Sequence, residues 1–172
     1  MLSAPKRLRY FMQRDGVVLN MVLRIFLRVI EQSLQTHCPG AAQAGKAALH
    51  IGAVAFIHRF GSSLNEHVHF HVCVVDGVFE EVPAESDANA SQPGVIFHPA
   101  SGIDAAVVAQ VQGTLRRRIL RAFVGRGLIE CFDAKDMLAY HRVDDGLARR
   151  HGQQRRPRWT VSPPPSTPKF PP

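Results

Sequence analysis

Cysteine is sparse in this chain. The three present, Cys38, Cys73 and Cys131, stand far apart with no Cys-x-x-Cys spacing. Such a set excludes a disulfide scaffold and a cysteine-built zinc site, and it fits free thiols in a reducing, cytoplasmic compartment. Long apolar runs are absent too. The longest candidate, residues 17–30, is broken by Asn20, Arg24 and Arg28, so it supplies neither a membrane span nor a signal-peptide core. Acidic residues number 14 against 21 lysines and arginines, leaving a net charge of +7. A basic balance favours a polyanionic partner, but only the location of the charge shows whether a domain uses it. With 45% apolar and 20% charged residues over 172 positions, the composition is that of one globular domain with a real core.

Periodicity gives the elements. Val18, Met21, Val22, Ile25, Val29 and Ile30 recur at spacings of three and four, which predicts an amphipathic helix over residues 17–34, ended near Pro39-Gly40. Residues 48–57 and 67–75 read as two strands joined by the polar loop around Gly61-Ser62-Ser63, an antiparallel hairpin. Asp76-Gly77 turns the chain into a further strand at Val78-Phe79, and Val95-Ile96-Phe97 makes another. Between them, residues 80–93 form an acidic, Ala- and Ser-rich surface excursion. Val107, Val108, Val111, Leu115, Ile119 and Phe123 restore a helical period over 104–123, closed by Gly125 and Gly127. A shorter helix follows at 133–140.

Residues 142–172 differ in kind. They hold seven of the twelve prolines, six arginines and hardly one periodic apolar position. A segment of this composition buries too little surface to offset its ordering entropy, and it reads as a disordered tail. It also carries a net +5 of the chain's +7, so most of the basic balance lies outside the folded unit, residues 1–141.

The string most suggestive of chemistry is Glu66-His67-Val68-His69-Phe70-His71-Val72-Cys73-Val74. On a strand, Val68, Phe70, Val72 and Val74 face one side while His67, His69 and His71 face the other. Neutral imidazoles two residues apart in a row can hold one cation without backbone distortion. A plain polar sheet face is the alternative. His58, near the end of the preceding strand, approaches the row if the hairpin pairs in the right register, which the sequence does not fix.

Arg59-Phe60-Gly61-Ser62-Ser63-Leu64-Asn65, then His69-Phe70-His71 and Asp76-Gly77-Val78-Phe79, resemble the signature of the two-tyrosine rolling-circle transposases of bacterial insertion sequences. These belong to the HUH endonucleases, named for histidine, hydrophobe, histidine. The opening residues 2–11, Phe97-His98-Pro99 and the Arg-rich helix beyond resemble the same family. The resemblance implies an α/β (α+β) domain with a small, mainly antiparallel sheet flanked by helices. It implies His69 and His71 as the metal pair, with His67 an optional neighbour and His58 the candidate third ligand. It further implies a divalent metal, magnesium or manganese, single-stranded DNA as partner, and a tyrosine hydroxyl that attacks phosphorus.

The chain has only two tyrosines, Tyr10 and Tyr140. The family's tyrosine pair lies on a helix beyond the point where the resemblance stops, and its cysteine-rich zinc region is missing upstream. Tyr140 is therefore the one candidate nucleophile, with a packing role as its alternative. The expectation is a transposase core truncated at both ends, its tail read from a shifted frame, and inactive alone. Arg117 and Arg121, four apart on the second long helix, are candidate DNA contacts against a plain solvated face. Lys6, Arg7 and Arg9 invite the same reading, and Asp76 reads as a turn former more than a ligand. Two further functions stay open: a metal- or DNA-binding module without catalysis, and an unrelated hydrolase activating water at three histidines.

Overall fold

The alternating stretch around the histidines becomes β4 (Glu66–Val74), the strand on which the fold is organised. In the computed structural model, which describes residues 1–61, 65–82, 94–147 and 160–161, β4 pairs antiparallel with β3 (Ala53–Phe60) and, on its other edge, with β1 (Leu2–Ser3). β7 (Thr160–Val161) adds to β1, giving the order β3-β4-β1-β7. A second sheet has the order β2-β5-β6, from β2 (Leu49–His50), β5 (Gly77–Val82) and β6 (Gly94–Pro99). Every pairing is antiparallel.

Two sheets thus stand where one was expected. Residues 48–57, read as one strand, break at Ile51-Gly52: β2 before the break joins the second sheet and β3 after it joins the first. Gly77 permits the tight contact at the start of β5, because a Cβ there would sit 2.3 Å from the His98 carbonyl oxygen. His98 in turn pairs with Glu80 across this sheet, Nε2 to Oε2 2.7 Å.

Among the described residues, four α-helices cover one face of the first sheet. α1 (Lys6–Arg14) runs into α2 (Gly16–His37) through Asp15, whose carboxylate accepts from the Val17 and Val18 amides at 2.7 and 3.3 Å. This is an N-cap that satisfies two otherwise orphan donors. α3 (Ala105–Gly125) is capped likewise by Asp104, 2.9 Å from the Val107 amide. It ends in a Schellman motif: Gly127 at φ +66 donates to Val124, and Leu128 to Phe123. Val68 and Phe70 of β4 are fully buried against Leu8, Met12, Val18, Val22, Leu115, Ile119 and Phe123. At about 1.5–3 kcal/mol per large apolar side chain, this layer fixes which face of β4 looks outward.

α4 (Cys131–Leu147) starts before the expected residue 133 and runs past His141. A helix already nucleated needs only propagation, and residues 141–145 contain no breaker. With β7, this places residues 142–147 and 160–161 in regular structure. The remainder of the expected tail, 148–159 and 162–172, lies outside the described residues, as do most of the surface excursion, 83–93, and loop residues 62–64. Among the described residues no helix is long and apolar enough to cross a membrane.

Candidate metal centre

The register of the hairpin settles the position of His58. Its Cα is the direct partner of His69, and Phe56 that of His71, so His58 shares the outward face with the β4 row. One potential ligand atom from each of His58, His69 and His71 lies within 4.8 Å of the other two, a separation one ion can bridge. Their ring centroids are 4.6 to 5.1 Å apart. His69 is half-buried at the centre, while His58 and His71 open to solvent.

His67 sits in the same row, 5.1 Å from His69 by ring centroid, but has other partners. Its Nε2 shares a hydrogen bond with Ser3 Oγ on β1 at 3.0 Å. Its backbone carbonyl lies 2.8 Å from His69 Nδ1. A carbonyl only accepts, so Nδ1 of His69 carries a proton, and in the neutral ring Nε2 is left with its lone pair free. Metal-bound histidines characteristically donate their second nitrogen in this way, which fixes tautomer and orientation. The hairpin register shifts between His58 and Phe60, opposite His67 and Val68.

Burial lowers the proton affinity of His67, and the positive charge of Arg9 and a charged His69 lower it further. His71 is lowered by partial desolvation and by its neighbours His58 and His69. Both shifts favour the neutral imidazole, the form that binds a cation.

Asp76 is exposed in the turn before β5 and stands outside the trio, as a turn former should; its carbonyl accepts from the Ala100 amide. Arg117 and Arg121 are exposed on the solvent side of α3, while that helix's buried side packs under the opposite face of the sheet, so neither reaches the histidines. Arg7 is engaged with Asp133 at 2.6 Å, tying α1 to α4, a hydrogen bond that raises the arginine's pKa and lowers the carboxylate's. Tyr10 is exposed on α1 with the Arg14 guanidinium 3.9 Å above its ring. Tyr140 lies in α4 by backbone. Cys38, Cys73 and Cys131 are all unpaired.

Ser3, the hydrogen-bond partner of His67, was not singled out as part of the site, and Arg9, read above only as a candidate DNA contact, bears on His67 through its charge. Two-residue β1 has no alternation to read, and Arg9 approaches from a separate helix. The alternation Val54, Phe56, His58 on β3 was the one available signal that His58 faces the same way as its exposed neighbours.

Residues 52–162 match the model of a family described as "Putative transposase", the two-tyrosine transposases of insertion sequences. The match spans well over half the chain and crosses the expected boundary at residue 141; the chain belongs to this family. Neither the curated proteins nor the solved structures give a match.

Proposed function

We propose that the histidine face is the metal centre at which this transposase acts on single-stranded DNA, cutting and rejoining strands in rolling-circle transposition. One observation carries the reading: His58 of β3 and His69 and His71 of β4 converge within 4.8 Å on the outward face of the hairpin, while Val68 and Phe70 on the other face of β4 are buried in the core. The residues fit a metal. Three imidazoles, one already oriented by a carbonyl, form a donor set for a first-row divalent ion, which favours manganese over magnesium. When bound, such an ion supplies Lewis-acid stabilisation of charge on a scissile phosphate.

The chain's own residues do the rest. His58, His69 and His71 present neutral nitrogens; His67 orients His69 through its carbonyl and is itself held by Ser3. Strand transfer needs a nucleophile, and Tyr140 of α4 is the candidate. The three free cysteines support a cytoplasmic setting.

Incubating the protein with labelled single-stranded DNA and Mn²⁺ tests the reading. Metal-dependent retention is expected; a covalent adduct abolished by Tyr140→Phe would assign the nucleophile, and retention without an adduct would favour a binding role for the face. If binding is the same with and without metal, the histidines have no part in holding DNA and the reading fails.

A further inference from the structure

Two features of the histidine face are not used by the metal trio. On β3, Phe56 lies two residues before His58 and is paired directly with His71, so its ring stands beside the trio on the same face. It is 53% exposed. β3 is the edge of its sheet, with no strand on its outer side among the described residues. A ring held half in water adds little to the fold, and an exposed aromatic beside a candidate site marks a contact surface.

At the other end of the row, near His67, is Arg9 of α1. Its charge acts on His67, its Nε is buried, and among the described residues that nitrogen has no hydrogen-bond partner. Burial depresses its pKa, and no carboxylate among the described residues offsets the effect. A buried donor without an acceptor, on a cation without a counter-ion, is unfavourable until an anion arrives. Neither residues 54–58 nor residues 67–73 contain an Asp or Glu, so nothing in these stretches repels a polyanion.

We propose that Phe56 and Arg9 are the two holding points of a DNA single strand laid across the histidine face, a base stacking on Phe56 and a backbone phosphate meeting Arg9. The inference rests on the single-strand reading above. Stacking requires an unpaired base whose face is open, which a single strand offers and a duplex does not. Phe56 is paired with His71 and Arg9 acts on His67, four residues away along β4 and so about 13 Å, a span of a few nucleotides. A second copy of the chain adding to the β3 edge would also cover Phe56, and the test separates the two.

Fluorescence anisotropy of a labelled mixed-sequence single-stranded oligonucleotide, titrated with the full chain at several salt concentrations, provides that test. Phe56→Leu keeps the apolar bulk and removes the ring; it should weaken binding about tenfold at unchanged salt slope, with Phe56→Trp restoring it. Arg9→Gln should reduce the log–log salt slope by about 0.7, the loss of one phosphate contact. Mn²⁺ titration of each variant should match the parent and confirms that the fold is intact. If the parent binds single strands and both variants bind as it does, the inference is overturned while the single-strand reading stands. A dimer that Phe56→Leu dissociates without changing DNA affinity overturns it in favour of self-association. A parent that binds no single strands removes both.

Discussion

The four histidines of the outward face are chemically alike and differ only in what surrounds them. His67 spends its side chain on Ser3, whereas His58 and His71 stand open toward His69. His67→Ala should therefore leave Mn²⁺ affinity within about threefold, because the group that orients His69 is the His67 backbone carbonyl and survives the substitution. His58→Ala should cost at least about tenfold, since it removes a ligand. Isothermal titration of both variants distinguishes them, and equal losses would show that the row, and not the trio, is the site. The pH dependence follows from the same surroundings. His67 and His71 hold protons less tightly folded than unfolded. Below the unfolded value of about 6.5, the unfolded chain binds more protons, so the metal-free protein loses stability as pH falls through 6.5 and regains it above. Metal protection against thermal unfolding should fade over the same interval as protons displace the ion. A melting temperature flat from pH 7 to 5, with and without Mn²⁺, would contradict both statements.

At the scale of elements, α2, α3, α4 and the hairpin were legible from periodicity, whereas α1 was not read. Residues 17–34 carry the three-four spacing, and in the structure Asp15 and Asp104 cap the helices that follow them. Asp15→Ala should destabilise the protein by about 1 kcal/mol in urea unfolding, since this residue caps α2 and closes the end of α1 together. Gly127→Ala should cost about 1–2 kcal/mol for a non-glycine residue at φ +66. Strand partners were less legible. Period-two alternation tells which side chains share a face but not which strand lies alongside, so the row of β4 was readable and its register with His58 was not. β1 and β7 are two residues each and too short to show any alternation. The split of residues 48–57 between two sheets depends on Gly52, where a Cβ would sit 2.9 Å from the Phe79 ring, a tertiary contact that local sequence does not reveal.

Across the whole molecule, most of the net charge and the candidate chemistry come from different parts of the sequence. The core beneath β4 is apolar and sealed by helices, the opposite face bears the histidines, and most of the net +7 lies beyond residue 141. Ending the chain at Leu147 removes Lys169 and five arginines. It should leave Mn²⁺ affinity unchanged while flattening the salt dependence of DNA binding, because dispersed cations contribute to retention without contributing to the site. Loss of metal binding in the shortened chain would mean instead that β7, which pairs with β1 next to Ser3, supports the centre.

The central claim is that His58, His69 and His71 together hold a divalent ion, and calorimetric titration of Mn²⁺ into the parent and the double variant His69→Ala, His71→Ala tests it most directly. The parent should bind one ion per chain and the double variant none that is measurable. An affinity and stoichiometry unchanged by the double substitution would show that the metal, if any, sits elsewhere.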